Sequence, residues 1–173
     1  MPTSAETPSS RGPSHRKKRH EAVDLIGESK RQNSYVVIYD AQPAARVAAI
    51  KSGVPAAFVG LLADQMGRPK EWLLPRLGIS IATFNRKKKE SKALSKDDGE
   101  RALGMARLVG QVESMVRESG DPTGFDAAQW VAQWLEEPSP ALGGKKPSDY
   151  MDTSEGQGII FNLLAQVQAG TYA

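Results

Sequence analysis

The 173-residue chain is long enough for one ordinary domain or two small ones, and too short for a large multidomain catalyst. Its 39% apolar and 25% charged residues are those of a globular protein, while 16 Gly and 11 Pro divide it into many short elements. With no Cys, thiol nucleophiles, disulfides and thiolate-held zinc are excluded. Both histidines, His15 and His20, lie in a basic N-terminal stretch, so neither an imidazole base nor an imidazole metal ligand is expected in the folded body. No apolar run approaches the roughly 20 residues of a membrane span, and the N-terminus lacks the apolar core of a signal peptide. The expectation is a cytoplasmic protein with no membrane contact, no metal and no cofactor.

Charge is segregated along the chain. Residues 1–33 hold 7 Lys/Arg against 4 Asp/Glu, a net of +3; residues 34–91 hold 9 against 4, a net of +5; residues 92–173 hold 7 against 12, a net of −5. A compact basic unit favours a polyanion such as DNA, because neutralising phosphates releases counterions, whereas an acidic unit repels DNA and suits a protein partner. Three segments follow: a flexible arm over 1–33, a DNA-binding domain over 34–91 and a partner-binding, dimerising domain over 92–173.

In chain order, residues 1–33 are rich in Ser, Pro, Thr and cations and cannot bury enough surface to offset their ordering entropy, so a disordered basic arm is expected. Tyr35-Val36-Val37-Ile38-Tyr39 is β-branched and aromatic and predicts a short strand or an extended segment docked on a neighbour. Pro43 opens a short helix that ends near Gly53, and Pro55 opens a second whose Val59, Leu62, Ala63 and Met66 form an apolar stripe. Pro69 opens a third helix, expected to bury Trp72, Leu73 and Leu77 and stopped by Gly78. Ser80 then caps a basic helix, Ile81 to Lys89, with Ile81 and Phe84 facing inward. A helix, a glycine turn and a basic helix form a helix-turn-helix pattern. With Ile81 and Phe84 buried, the outward face carries Thr83, Arg86, Lys87 and Glu90, with Ser80 at its leading end. In a major groove the N-terminal residues reach base edges, where Arg forks onto guanine, while Lys87, Lys88 and Lys89 meet phosphates.

The acidic half starts at Ser95, which caps a long helix with acids in its first turn. Its Met105, Leu108, Val109, Val112, Met115 and Val116 keep 3-4 spacing, which predicts a core or a symmetric dimer face. After a Gly/Pro loop, a helix from about Asp126 to Glu136 carries Trp130 and Trp134, read as core anchors. Gly143-Gly144 lacks the lysine pattern of a phosphate-binding loop. The final helix opens in Asp152-Thr153-Ser154-Glu155, with Asp152 expected to cap it, and its apolar stripe is Ile160, Leu163, Leu164 and Val167; Gly170 stops it. The fold class is mainly α: a helix-turn-helix domain followed by an all-α domain.

The run Trp134-Leu135, Pro138, Pro140-Ala141-Leu142-Gly143-Gly144, Pro147, Asp152-Thr153, Glu155-Gly156, Ile159-Ile160, Leu163-Leu164 and Gly170 resembles the C-terminal toxin-binding domain of Xre/MbcA/ParS antitoxins. Upstream, Gly53-Val54-Pro55, Leu77-Gly78-Ile79-Ser80, Thr83-Phe84-Asn85-Arg86 and Leu94-Ser95 resemble the Xre-type helix-turn-helix that precedes it. The resemblance spans roughly residues 43–173 and leaves Tyr35 to Tyr39 unmatched. It implies a RES-domain toxin that degrades NAD⁺ as partner, operator DNA of the shared operon as second ligand, and a homodimer within a larger toxin-antitoxin complex. It also implies that the C-terminal end covers the toxin's active site. The residues assigned to that contact are Leu164, Val167, Gln168, Gly170, Thr171, Tyr172 and Ala173. The phenol of Tyr172 and the terminal carboxylate suit a polar, cation-lined nucleotide pocket. DNA contacts are assigned to Ser80, Thr83, Arg86, Lys87, Lys88 and Lys89. The competing readings are a free-standing regulator whose acidic domain only dimerises, and a carboxylate enzyme using Asp149 and Asp152, which lacks a second catalytic residue type.

Overall fold

A computed structural model describes residues 25–170, and these are helical with no strand among them. The chain runs α1 (25–32), α2 (Val36–Asp40), α3 (Pro43–Ser52), α4 (Ala56–Gln65), α5 (Lys70–Arg76), α6 (Ile81–Lys89), α7 (Lys96–Ser119), α8 (Ala127–Trp134) and α9 (Ser154–Gln168). Two 3-10 turns, Pro140–Leu142 and Pro147–Tyr150, join the last two helices. His15, His20 and most of the expected N-terminal arm lie outside the described residues. Its end does not follow the expectation: residues 25–32 are helical, Ser29 is buried, and Leu25 and Ile26 pack on the core.

The organising element is α7, a 24-residue helix that carries α2, α3, α8 and α9 against its sides. Its length follows from a Ser95 cap, whose hydroxyl accepts the Asp98 N–H at 3.1 Å, and from acids at positions 97 and 98 in the first turn, where the helix dipole favours them. Met105, Leu108, Val109 and Val112 are buried in the chain's own core and Val116 packs against it, while Met115 is half-buried. The stripe expected as a possible dimer face is therefore intramolecular core. One apolar cluster runs from Ile38 through Val59, Leu62 and Phe84 to Leu108, Val131 and Leu164, so the segments 34–91 and 92–173 share a core.

The expected strand at Tyr35 to Tyr39 is helix α2 instead. Its β-branched residues are overruled from a distance: the Glu113 carboxylate of α7 accepts from the Ser34 hydroxyl at 2.6 Å and from the Tyr35 and Val36 N–H groups at 2.9 and 3.2 Å, satisfying the first turn. At the other end Arg46 of α3 donates to the carbonyls of Ile38, Tyr39 and Ala41. Gly110 lets the two helices touch, since a Cβ there would collide with the Tyr35 carbonyl oxygen. Ile38 is buried completely, and Tyr35 sets its ring edge-on to Phe58, 6.2 Å between centroids, while its hydroxyl donates to Gln65. That burial, with Glu113 nearby, pushes the Tyr35 phenol well above its ordinary pKa.

The remaining helices start where proline and caps place them. Pro43 is the first residue of α3, and Pro55 and Pro69 precede α4 and α5. Val59, Leu62, Ala63 and Met66 are all buried, as their spacing predicts. At α9 the cap is Thr153, accepting the Gly156 N–H at 3.0 Å, rather than Asp152.

Candidate functional site

The basic helix α6 is held by one ring. Phe84 is buried completely, whereas Ile81, expected beside it, is 39% exposed, and Ile79 in the preceding turn fills the inward place. Half-buried Thr83 and Lys87 flank Phe84, so the inward face of the helix lies on their side of the ring rather than on that of Ile81. The exposed positions are Ala82, Asn85, Arg86, Lys88 and Lys89. Ser80 caps α6 as expected, accepting the Thr83 N–H at 3.5 Å, and so serves the helix end. Thr83 is half-buried.

The cations of α6 divide by their contacts. Lys87 is half-buried and donates to the Ala93 carbonyl at 2.8 Å, closing the loop after α6, so its ammonium is turned back onto the chain. Lys88 holds its ammonium 5.9 Å from the centre of the Phe84 ring, and Arg86 and Lys89 are exposed. Asn85, absent from the assigned set, projects beside Arg86 and accepts from Lys70 Nζ at 2.9 Å. Lys70 also stands over the Phe84 ring at 5.5 Å, placing a cation of α5 next to the face of α6. The signal for Asn85 was in the sequence, one step before Arg86, but anchoring the helix on Ile81 rotated it out of view. A face of this kind, with an amide, a guanidinium and ammonium groups fed by the C-terminal end of the helix dipole, can fork onto base edges and neutralise phosphates.

The turn before α6 is braced from the acidic half. Gly78 adopts φ 64°, the left-handed conformation the turn needs, and its Cα faces Asp152. Arg101 of α7 donates from Nε to the Leu77 carbonyl at 2.6 Å and from Nη2 to Asp98 at 2.6 Å. On the other side Arg76 donates to Glu136 at 2.6 Å, and Lys146 reaches the same carboxylate at 3.1 Å. The Arg76 bond, with help from Lys146, outweighs the burial that would raise it and holds the Glu136 carboxyl below its ordinary value. Asp149 accepts the Lys146 N–H at 3.2 Å and Asp152 sits against Gly78, so each is used in a turn.

The residues assigned to a partner protein spread over α9. Leu164 is 1% exposed and belongs to the core, together with Ile160 and Leu163, so its side chain offers nothing to a partner; Val167, expected in the same stripe, is 51% exposed. Gln168 is exposed and donates to Glu118 at 2.9 Å, and Gly170 ends the helix at φ 65°. Thr171, Tyr172 and Ala173 lie outside the described residues. The buried Gln157 seats the helix, donating to the Arg101 and Met151 carbonyls at 3.0 Å each, and Gln111 of α7 donates to the Phe161 carbonyl at 3.2 Å.

The tryptophans meet their expected place in the core only in part: Trp72 and Trp134 pack against it, and Trp130 does not. Trp130 is 38% exposed, Trp134 and Trp72 are half-buried, and Phe125 is 38% exposed. The core side of α8 is filled by Ala127, Ala128, Val131 and Ala132, with Leu135 just beyond. Trp72 lies between Arg76 and Arg68, whose guanidinium carbons are 4.3 and 5.5 Å from the ring centre.

Two family models match the chain in order: an antitoxin Xre-like helix-turn-helix domain over residues 45–107, and an antitoxin Xre/MbcA/ParS C-terminal toxin-binding domain over residues 124–170. A protein of Sphingobium sp. (strain YBL2), described as a Prs ADP-ribosylating antitoxin, is 42% identical over 140 residues, which cover 81% of this chain and 88% of that one. The chain belongs to the Xre/MbcA/ParS antitoxins. By this kinship it is an antitoxin and not an enzyme, built from a helix-turn-helix domain and a toxin-binding domain. The first match contains α4 to α6 and the start of α7; the second contains α8 and α9. Within the described residues of this antitoxin no helix is long and apolar enough to cross a membrane.

Proposed function

We propose that this antitoxin neutralises a cytoplasmic RES-domain toxin by covering its active site with the C-terminal end of the chain, and that it represses its own operon through α6. The observation that carries the reading is the ordered pair of matched domains, with the toxin-binding match running through α9 to residue 170. The description of the Sphingobium relative names ADP-ribosylation, chemistry that draws ADP-ribose from NAD⁺, and this supports an NAD⁺-consuming toxin as partner. Residues 34–91 act as the DNA-binding unit and 92–173 as the toxin-binding unit. Asn85, Arg86, Lys88 and Lys89 make the main DNA contacts, and Val167, Gln168, Gly170, Thr171, Tyr172 and Ala173 the toxin contacts. A homodimer on a two-fold operator, with half-sites about one turn apart, forms through a face other than the α7 stripe.

Deleting Gly170 to Ala173 tests this reading. The expected outcome is a protein that still binds operator DNA but leaves the toxin's NAD⁺ consumption running; a truncated protein that silences the toxin fully would overturn the active-site cover.

A further inference from the structure

None of the chain's three tryptophans is fully buried, and two of them, Trp130 and Trp134, form a shelf on α8. Trp130 and Trp134 stand one helical turn apart with rings stacked, 5.9 Å between centroids and 9° between planes, and Phe125 leans on Trp130 at 6.3 Å. The inward side of α8 is lined by Ala127, Ala128, Val131 and Ala132; Trp134 packs in part on that core and stays half-buried, while Trp130 is 38% exposed. Across a shallow groove that also touches Phe125 and Trp130 lies Arg68, the residue that reaches over Trp72. Exposed stacked aromatics with an arginine rim have the composition of an interface centre, where Trp, Tyr and Arg carry most of the binding energy.

Among the described residues six large apolar side chains are exposed, and four of them, Phe125, Trp130, Ile159 and Val167, lie within the segment matched by the toxin-binding model. That match begins one residue before Phe125. Its inner side, including Val131, Ile160 and Leu164, is buried against α7 and the rest of the core, so only the outer side is available to a partner. We propose that the shelf of Phe125, Trp130 and Trp134 is the anchor on which the toxin docks, distinct from the C-terminal end that covers its active site. The inference rests on the toxin reading above. Docking and inhibition are then separable: the shelf supplies affinity through desolvated aromatic area, and the end of the chain supplies silencing.

The test uses the full chain, its Trp130→Ala/Trp134→Ala double variant and the deletion of Gly170 to Ala173, each titrated calorimetrically with the purified RES-domain toxin of the same operon. The double variant is expected to bind at least about 30-fold more weakly, with operator affinity unchanged. The deletion is expected to keep most of the affinity and lose the silencing. Should the double variant lose its thermal transition, Phe125→Ala, outside α8, reads the same surface, with an expected weakening of about fivefold. Parent-like toxin affinity in the shelf variants overturns the anchor while leaving the toxin reading intact. A parent that fails to bind the toxin overturns both. A double variant that loses a dimer by light scattering, or loses operator affinity, yet keeps its toxin affinity, gives the shelf to a second copy or to nucleic acid and overturns the anchor.

Discussion

Helices α6 and α8 have nine and eight residues, share one core and each sit at a surface, yet they finish their outer faces in opposite ways. One carries Asn85, Arg86, Lys88 and Lys89 into solvent, the other an exposed Trp130 stacked on a half-buried Trp134. A row of cations works by long-range attraction and counterion release, so its binding is fast to form and steeply salt-dependent. A stacked aromatic shelf works only in contact, by removing its own area from water, and is nearly indifferent to salt. The same length of helix on the same core thus suits DNA in one place and a protein in the other, and what decides is the outward residues alone.

The comparison breaks most visibly at the inward anchors. Phe84→Ala empties the only fully buried position of α6 and should cost about 3–5 kcal/mol, read from denaturant unfolding. Operator affinity should fall further than toxin affinity; an equal loss of both would mean that the two faces melt together. Next in size, Arg86→Ala should cost about 1–3 kcal/mol of operator binding and relax the preference for one base pair, seen by titrating a set of single-base operator variants. Unchanged selectivity would move base reading off α6. Smaller still, Lys88→Ala or Lys89→Ala should weaken all DNA sequences alike and lower the log-log salt slope by about one each, while toxin affinity keeps its shallow salt dependence.

The smallest effect lies at the seam between the two regions. Because Arg76 and Lys146 hold the Glu136 carboxyl below its ordinary 4.5, the unfolded chain takes up more protons on acidification than the folded one. The pairing stabilises fully above that ordinary value and is lost as pH falls through the lower folded one. Glu136→Gln should therefore reduce stability by about 0.5–1 kcal/mol at neutral pH, with the gap from the parent closing in acid; a gap that persists in acid would show that packing, not charge, is lost.

Much of this antitoxin was legible without coordinates because its signals are local. Pro43, Pro55 and Pro69 mark helix starts, the Ser80 and Ser95 hydroxyls accept N–H groups three residues onward, and the stripe of α4 repeats at the helical period, all within one or two turns of chain. The two antitoxin motifs were legible for the same reason, as runs of neighbours in order.

What the sequence by itself determined was where helices begin and which residues share a face. Which face is covered, and by what, was decided by tertiary structure. Tyr35 to Tyr39 has the side chains of a strand and becomes a helix because Glu113, 78 residues from Tyr35, caps its start and Arg46 its end. Ile81 yields its inward place to Ile79, alanines and Val131 fill the inner side of α8 so that Trp130 is exposed and Trp134 only half-buried, and Leu164 is core while Val167 is not. Periodicity sets the angles between side chains on one helix; the zero of that angle is set by the neighbours that pack on it, and those come from distant parts of the chain.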